Sequence, residues 1–486
     1  MDQPVPPLRA RLRANYLRDE TEALAELMAT ARLDPAAGRR VQDRARALVE
    51  NVRVRQKAVS GMQSFLRKYD LSSQEGVLLM CVAEALLRIP DAATADKLIR
   101  DKLSQGDWEK HVARNDSLLV NAGTWGMMLT GKLVSLEASE AGNASAWFGR
   151  LAARAGEPVV RLALRQGMKL MAEQFVMGRT IDDALARSID GDNKAYRHSY
   201  DMLGEAAFTA ADAERYFVAY ANAIDAIAAH AAAHVTPDAA TEAMVRGPIV
   251  FRNPGISIKL SALHPRYEYA QRERVRSELI PRVQALVERA RAGDIGVTLD
   301  AEEADRLDLS LEIFESVFAS SALQGWEGFG LAVQAYQKRA PFVVDWLADL
   351  ARKQRRRIMA RLVKGAYWDS EVKRAQMQGL SGYPVYTRKA NTDVSYLACA
   401  AKMIAAKDAF YGQFATHNAH TVATILERMP KGQPFEFQRL HGMGEDLYEQ
   451  VVAEGHACRV YAPVGSHEDL LPYLVRRLLE NGANTS

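Results

Sequence analysis

The sequence predicts an α/β protein in which a closed (β/α)8 barrel of the TIM type follows an all-helical amino-terminal region. Three observations predict this fold. Helical periodicity dominates the first 190 residues, eight short apolar runs then alternate with helical stretches, and polar residues end most of those runs. Strands that alternate with helical crossovers are typical of parallel sheets, and polar residues at strand carboxyl ends are typical of barrels with a ligand site.

The helical region is predicted from apolar residues at helical spacing. Ala23, Leu24, Leu27 and Met28 recur with this spacing, and similar faces recur further along the chain. A polar stretch, residues 190–193, separates this region from the rest. We therefore predict a helical arm and helical domain at residues 1–190 and the barrel at residues 191–486.

The eight predicted strands are short apolar or alternating runs bounded by turn-forming residues. They span Ser199 to Leu203, Gly255 to Leu260, Gly296 to Asp300, Gly330 to Ala335, Ile358 to Lys364, Gln413 to His417, Phe435 to Leu440 and Cys458 to Ala462. The predicted helices between them include Ala210 to Ala233, Arg272 to Ala292, Asp305 to Ala319, Pro341 to Gln354 and Asn418 to Met429. Thr209 and Asp212 predict a capping box before the first of these helices. A doubly wound open sheet is the alternative, but the chain lacks the GxGxxG turn and the Walker A sequence that such folds often carry.

The composition limits the kinds of protein that the chain could be. A formal net charge of +3 over 486 residues gives no sign of a nucleic-acid partner. The three cysteines, Cys81, Cys399 and Cys458, lie far apart, which fits a reducing cytosol better than a disulfide framework or a zinc site. The sequence shows neither a signal peptide nor an apolar run long enough to span a bilayer. We expect a cytoplasmic protein, and peripheral contact with the inner face of the cell membrane stays open.

Polar side chains are predicted at the carboxyl ends of most strands. Alternation along the second strand turns Ser257, Lys259 and Ser261 into the barrel. The other strand-end residues are Asp300 on the third strand, Gln334 on the fourth, Arg361 on the fifth, Thr416, His417 and Asn418 on the sixth, Gln438, Arg439 and His441 on the seventh, and Tyr461 on the eighth. Any one of them could be structural, but such residues on seven strands predict a ligand site.

Arg361 is the most informative of these residues because it lies within an apolar strand. A buried charge is costly unless a partner or a ligand compensates it. Soon after it come Lys364, then Gly365, which lets the backbone approach a neighbour closely, and the aromatic residues Tyr367 and Trp368. A structural salt bridge would explain Arg361 by itself, whereas the whole stretch predicts a binding site.

The residue types indicate which chemistry such a site could carry. Lys259, Arg476 and Arg477 could bind a carboxylate, while the sequence offers no GxSxG nucleophile and no strand-end cysteine with a histidine base. His417, His441 and Asp300 could form a metal site, although the HxH or HExxH spacing that would make it specific is absent. Chemistry supplied by an organic cofactor, a metal-dependent barrel hydrolase and a non-enzymatic partner-binding protein with a decayed barrel are therefore all open.

Several long stretches resemble the proline dehydrogenase portion of the bifunctional flavoenzyme proline utilization A. They are Tyr200 to Glu205, Gly255 to Arg266, Asp300 to Arg306, Gln334 to Arg339, Arg361 to Asp369, Gly382 to Lys389, Phe414 to Asn418, Phe437 to Glu445, Tyr461 to Gly465 and Tyr473 to Asn484. The helical amino-terminal third resembles the arm and helical domain that precede the barrel in that family.

The resemblance implies a distorted barrel with non-covalent FAD at the strand carboxyl ends. It implies oxidation of L-proline to Δ1-pyrroline-5-carboxylate, with a hydride passing from substrate C5 to flavin N5 and electrons passing to a membrane quinone. The implied catalytic residues are Asp300, Arg361 and Tyr461, and the implied proline-binding residues are Lys259, Tyr367, Tyr461, Arg476 and Arg477. The implied FAD contacts are Gln334, Arg361, Val363, Lys364, Gly365, Ala366, Trp368, Thr387, Arg388, Lys389, Ala415, Thr416, His417, Asn418, Gln438 and Glu480, with no metal ion.

Two departures from the family's pattern bear on partners. The full family protein continues into an NAD-dependent aldehyde dehydrogenase, and this sequence stops at Ser486, so we expect no aldehyde dehydrogenase activity from it. Some members begin with a ribbon-helix-helix segment that binds DNA. This sequence has no recognisable counterpart, so we expect no nucleic-acid partner.

Overall fold

Eight parallel strands close into a barrel in which each strand pairs with its sequence neighbours and the last strand pairs with the first. The computed structural model describes residues 7–58, 176–204, 206–234 and 248–465. The strands are β1 (Arg197–Met202), β2 (Gly255–Ile258), β3 (Gly296–Leu299), β4 (Phe329–Gln334), β5 (Ile358–Val363), β6 (Phe410–Ala415), β7 (Phe435–Leu440) and β8 (Cys458–Val464). The predicted fold class is confirmed, because all eight predicted strands form and they close in chain order.

The described helices are numbered here in chain order. They are α1 (Pro7–Ala14), α2 (Glu20–Ala31), α3 (Pro35–Ala58), α4 (Ile181–Ser188), α5 (Ala210–His234), α6 (Leu260–Leu263), α7 (Arg272–Ala292), α8 (Leu307–Phe318), α9 (Ala340–Lys353), α10 (Trp368–Met377), α11 (Lys389–Ala405), α12 (Ala419–Arg428) and α13 (Glu445–Ala453). The predicted capping box forms before α5, since Asp212 N–H donates to Thr209 Oγ1 and Thr209 N–H donates to Asp212 Oδ2.

The second strand is shorter than predicted. It ends at Ile258, and the chain turns through Lys259 into the one-turn helix α6. Ser261 therefore does not continue the strand alternation into the barrel. Its hydroxyl accepts a hydrogen bond from Ala206 N–H, and its own N–H donates to Glu302. Strand alternation cannot detect such an early end, because Lys259 and Ser261 keep the polar spacing of a strand.

The apolar core lies between the outer face of the barrel wall and the surrounding helices. The outward faces of the strands pack against the surrounding helices in one large apolar cluster that includes Ile256, Val297 and Phe437. Buried helix residues such as Leu279 and Phe314 belong to the same cluster. Strands covered on both faces are typical of parallel barrels, and here the inner face carries polar residues instead of a second apolar layer.

The amino-terminal helices pack against the outside of the barrel. Leu12 is buried in the main core, and the Arg9 guanidinium lies 3.2 Å from Asp308 and 5.1 Å from the centre of the Trp346 ring. By contacts between Cα atoms, Met1–Val52 and Val176–Gly465 form one compact unit, and Arg53–Phe175 with Ser466–Ser486 form a second. The predicted boundary at residue 190 between the helical region and the barrel was placed from the sequence order alone, and it stays a prediction.

Within the described ranges, no helix combines the length and the apolar character needed to cross a bilayer. Cys399 and Cys458 are buried free thiols. Cys81 lies outside the described residues.

Substitution of one barrel glycine tests the packing of the wall. A Cβ atom added at Gly330 of β4 would lie 1.8 Å from the Met359 carbonyl oxygen of β5, so Gly330→Ala should destabilise the fold by about 1–3 kcal/mol. Gly38 in α3 has no atom within 4 Å of the added Cβ, so Gly38→Ala should stabilise it by about 0.5–1 kcal/mol. Urea unfolding followed by circular dichroism measures both. An unchanged midpoint for Gly330→Ala would contradict the packing of β4 on β5.

Candidate active site

Arg361 lies in the interior of the barrel and is only 3% exposed. Its Nη1 donates to Asp300 Oδ1 at 2.7 Å, and its Nε donates to Gln438 Oε1 at 2.7 Å. Its Nη2 donates to Ser199 Oγ at 3.2 Å and to Ser257 Oγ at 3.0 Å. Arg361 therefore points into the barrel, and side chains from four other strands or their ends hold the guanidinium in one orientation.

A second cation, Lys259, lies beside Arg361 at the carboxyl end of the barrel. Its Nζ lies 2.5 Å from Asp201 Oδ1, 3.2 Å from Asp300 Oδ2 and 3.3 Å from the Tyr461 hydroxyl. Tyr461 donates to Asp300 Oδ2 at 2.6 Å, and its ring lies 5.1 Å from the Arg361 guanidinium carbon. Asp300 thus links both cations and the tyrosine, so the predicted residues Lys259, Asp300, Arg361 and Tyr461 form one hydrogen-bonded cluster.

The charges of this cluster stabilise one another. Burial would raise the pKa of Asp300, but Lys259 and Arg361 outweigh it and hold the pKa of this carboxyl below its ordinary value. Burial would lower the pKa of Lys259, but the carboxylate of Asp201 outweighs it and raises the pKa well above its ordinary value. At neutral pH the cluster therefore contains an ammonium, a guanidinium and the Asp300 carboxylate. Burial raises the pKa of Tyr461 well above its ordinary value, so its phenol stays protonated.

A lower layer of polar residues, nearer the amino-terminal ends of the strands than Arg361, orients Gln438. Its Nε2 donates to Glu436 Oε1 at 3.0 Å, which leaves its amide oxygen facing Arg361. Glu436 is fully buried and accepts from Arg459 Nε at 2.6 Å and from Arg197 Nη1 at 3.2 Å. Because a carboxylate can only accept hydrogen bonds, Glu436 fixes which end of the Gln438 amide points upward.

A second cluster lies at the carboxyl end of the barrel, between the loop after β5 and the first turns of α11. Asp393 joins two lysines, with its Oδ1 2.5 Å from Lys364 Nζ and its Oδ2 3.1 Å from Lys389 Nζ. Gly365 has φ of +137°, and a Cβ atom there would lie 2.5 Å from the Tyr336 ring. The close approach expected of this glycine is confirmed, because no side chain fits between the backbone and that ring.

The remaining predicted residues lie on the loops that follow the strands. Trp368 donates from its Nε1 to the Tyr386 carbonyl at 2.9 Å, and Gln334 Oε1 accepts from Gln337 at 2.7 Å. His417 Nε2 accepts from Leu440 N–H at 3.1 Å. The others end a strand or lie between a strand and the next helix: Val363 ends β5 and is followed by Ala366 and Tyr367, Thr387 and Arg388 precede α11, and Ala415 ends β6 and is followed by Thr416 and Asn418 before α12.

Three predicted residues, Arg476, Arg477 and Glu480, lie outside the described residues. Their assignment to substrate or cofactor stays a prediction. The described part of the site therefore consists of the central cluster around Arg361 and the lysine pair around Asp393.

Sequence reasoning missed several polar residues of these clusters. Asp201 on β1 holds Lys259, and Ser199 on the same strand holds Arg361. Their spacing of two residues puts both on the inner face of β1, and that alternation was the signal that could have found them. Glu436 lies two residues before Gln438 on β7, so the same alternation could have found it. Asp393 carried no such signal, because a charged residue on a helix is usually solvated.

The metal-site alternative finds no support in the geometry. Across residues 7–58, 176–204, 206–234 and 248–465, no three His, Cys, Asp or Glu side chains are grouped as metal ligands. His441 is buried, and neither of its ring nitrogens has a hydrogen-bond partner among the residues that the structure describes. Asp300 is committed to Lys259, Arg361 and Tyr461.

Comparison with known families decides the membership of the chain. A family model described as proline dehydrogenase matches residues 184–486, which is more than half of the sequence. The chain belongs to the proline dehydrogenase family. A second model, described as the proline utilization A proline dehydrogenase N-terminal domain, matches residues 7–53 of this proline dehydrogenase family member. The resemblance that the strand-end motifs carry is thereby confirmed.

Relatives cover nearly the whole chain. The bifunctional protein PutA of Klebsiella aerogenes is 54% identical over 98% of this chain and 36% of its own length. That of Rhizobium meliloti is 50% identical over 100% of this chain and 38% of its own length. A crystal structure of Bradyrhizobium japonicum proline utilization A is 49% identical, with a TM-score of 0.70 over 97% of this chain and 46% of that one. The chain thus spans less than half the length of these relatives.

A third family model, described as the DNA-binding domain of proline dehydrogenase, matches residues 61–175. That description belongs to the family model, and residues 61–175 lie outside the described residues. The expectation that this chain has no nucleic-acid partner stays a prediction.

The buried His441 predicts a pH dependence of stability. Burial, followed by the charges of Arg187 and Arg439, lowers the pKa of His441 to about 3. An unfolded histidine titrates near 6.5, so between these values the unfolded chain binds a proton that the folded chain does not. His441 therefore costs stability as the pH falls below about 6.5.

His441→Leu should remove that cost. Relative to the unsubstituted chain, the loss of unfolding free energy on acidification from pH 6 to pH 4 should be smaller by about 1.4 kcal/mol per pH unit. Urea unfolding at stepped pH measures the difference. His420 is exposed, so His420→Leu serves as the control and should keep the original slope. Equal slopes for His441→Leu and the unsubstituted chain would contradict the burial of a neutral imidazole.

Proposed function

We propose that the protein is an FAD-dependent proline dehydrogenase that oxidises L-proline to Δ1-pyrroline-5-carboxylate and passes the electrons to a membrane quinone. The observation that carries the proposal is the hydrogen-bonded cluster of Lys259, Asp300, Arg361 and Tyr461, which meet from four different strand ends. Family membership supplies the reaction class, and this cluster is a fitting site for it. Bound FAD would accept a hydride from proline C5 at flavin N5.

The described residues fit an anionic, planar cofactor. Helix α11 begins after Arg388, whose side chain makes no capping hydrogen bond, so the helix start is open to an anion. Lys364 and Lys389 place two ammonium groups around Asp393 beside that helix start. Lysines next to a free helix amino terminus suit a pyrophosphate. In this structure the Asp393 carboxylate balances the charge of the two lysines where a pyrophosphate would otherwise do so.

Arg361 fits the role of a donor to the planar ring. A guanidinium carries five N–H groups. Asp300, Gln438, Ser199 and Ser257 use four of them, so one N–H, on Nη1, is left without a hydrogen-bond partner in the described part of the chain. The other bonds hold that N–H in a fixed direction, and a fixed cationic donor at a site where negative charge accumulates is worth more than a mobile one.

The barrel interior also fits a substrate carboxylate. Its polar column contains four cationic side chains, Arg197, Lys259, Arg361 and Arg459, against three acidic ones, Asp201, Asp300 and Glu436. Four minus three leaves an excess of one positive charge, which a carboxylate would balance. All three N–H groups of Lys259 are engaged, so we propose that it releases one of its longer bonds, to Asp300 or Tyr461, to bind the substrate together with Arg476 and Arg477.

Tyr461 and Tyr367 would shape the pocket around the proline ring, since Tyr461 already stacks its ring near Arg361 and Lys259. Electron delivery to a membrane quinone implies peripheral contact with the membrane, which is part of the proposal. The remaining predicted cofactor contacts on the loops after β4, β5 and β6 would surround the rest of FAD.

The function is tested by the flavin spectrum. Purified protein supplied with FAD should show flavin absorption bands, and L-proline should bleach them without oxygen. Tetrahydrofuran-2-carboxylate has the ring and the carboxylate but lacks the amine, so it should inhibit competitively with proline. Protein that binds a stoichiometric metal and no flavin would overturn the proposal. Noncompetitive inhibition, or none at millimolar concentration, would contradict the assigned substrate site.

Arg361→Met should lower the FAD midpoint potential. A positive charge next to the flavin favours the more electron-rich reduced form, so its loss should lower the potential by about 30 mV for each ~1.4 kcal/mol of lost stabilisation. Arg361→Lys keeps the charge and loses the fixed direction, so it should fall between Arg361→Met and the unsubstituted protein. Potentiometry on FAD-loaded protein is the measurement. An unchanged or raised potential at full FAD occupancy would show that Arg361 serves only as an ion-pair partner.

A further inference from the structure

We propose that Glu20, on the amino-terminal arm, is a positioning residue for the anion cradle at the start of α11. The anion cradle is the helix start at Lys389 and Ala390 with the ammonium groups of Lys364 and Lys389. The inference rests on the proposed function, because FAD is the ligand assigned to that cradle. On this proposal the amino-terminal arm contributes to cofactor binding, which no strand-end motif of the sequence suggests.

The Glu20 carboxylate makes four hydrogen bonds to the segment that begins α11. Thr387 N–H donates to its Oε1 at 3.0 Å and to its Oε2 at 3.1 Å, and the Thr387 hydroxyl donates to Oε2 at 2.9 Å. Asn391 Nδ2 donates to Oε1 at 2.6 Å. One carboxylate thus joins the residue before the helix to the first helical turn, on opposite sides of Arg388.

The helix start has no other side chain to fix it. Arg388 is the N-cap residue and makes no side-chain capping bond, whereas Ser, Thr, Asp or Asn usually fills that position. Asn391 N–H and Thr392 N–H both donate to the Arg388 carbonyl. The N–H groups of Lys389 and Ala390 have no partner among the described residues, and they are the ones left to bind an anion.

Apolar packing fixes the arm in position for this contact. Ala23 and Leu27 of α2 pack in one apolar cluster with Tyr386, which precedes α11, and Ala398, which lies within α11. Glu20 is the first residue of α2, one helical turn before Ala23 and two before Leu27, so the buried face of α2 sets where its carboxylate lies. The Tyr386 carbonyl also accepts from Trp368, which ties the same segment to the loop after β5.

Glu20 supports the anion cradle and does not fill it. Its bonds go to Thr387 and Asn391, while the Lys364 and Lys389 ammonium groups pair with Asp393. A carboxylate that competed with phosphate would bond to the free helix N–H groups or to those lysines. Glu20 does neither, so removing it should loosen the helix start and weaken phosphate binding.

The test is the dissociation constant of FAD, measured by flavin fluorescence on the full chain after FAD has been removed. Glu20→Ala should weaken FAD binding about tenfold or more, with little change in thermal unfolding, because Glu20 is only half-buried and belongs to no apolar core cluster. Glu20→Gln should stay within about threefold of the unsubstituted protein, because an amide oxygen still accepts from Thr387 and the Asn391 amide can turn to match. Hydrogen exchange at residues 387–392 should quicken in Glu20→Ala alone.

Glu26→Ala is the matched control. Glu26 lies on the same helix and pairs with Arg18, so its loss removes an arm ion pair without touching α11. Equal FAD affinity of Glu20→Ala and the unsubstituted protein would overturn the inference alone. Tighter binding by both Glu20 variants would also overturn it, because Glu20 would then compete with phosphate, as would an equal loss in Glu26→Ala. An unsubstituted protein that binds no FAD would overturn the proposed function and the inference with it.

Discussion

The ion pair between Arg361 and Asp300 is the interaction on which the rest of the site depends. Both groups are shielded from water inside a barrel, where an uncompensated charge costs several kcal/mol. Asp300 alone could not satisfy Arg361, so Gln438, Ser199 and Ser257 take the other N–H groups. Each of these partners comes from a different strand or strand end, so the guanidinium can be satisfied only when the barrel is closed.

Closure of the barrel therefore couples fold and chemistry. A (β/α)8 barrel usually fills its interior with branched apolar side chains. Here the lower layer is occupied by Glu436 with Arg459 and Arg197, and this buried network orients the amide that faces Arg361. Replacement of one member would leave a buried charge without its partner, which is far more costly than losing an apolar contact. The polar residues inside the barrel thus replace apolar packing, and they hold the Arg361 guanidinium in a single direction.

The fold could be predicted from the sequence because strand and helix periods differ and because barrel strands follow in chain order. Arg361 could be singled out because a charge within an apolar strand needs a partner, and Asp300 supplies one. Ser261 was placed wrongly because a helical turn and a strand can carry the same polar spacing. Alternation puts Asp201 on the inner face of β1, but its partner Lys259 is 58 residues away, so no local pattern could pair the two. Partner choice inside the barrel is a property of register, which pairs Asp201 with Ser257 across β1 and β2.

The arm illustrates the same limit at longer range. Glu20 contacts Thr387 and Asn391, which follow it in the sequence by 367 and 371 positions. From the sequence, its carboxylate therefore looked like one of many solvated charges at a helix start. An acidic first turn is favoured by the helix dipole of α2 itself, which already explains a glutamate at that position. The structure adds a second use, because the same carboxylate joins Thr387 to Asn391 across the uncapped start of α11. An arm of this kind stabilises a loop most where the barrel cannot, at the start of a helix whose free N–H groups have to stay open for a ligand. The separation of tasks follows from that constraint: the barrel interior orients the reacting groups, and the arm holds the loop that would bind the phosphates.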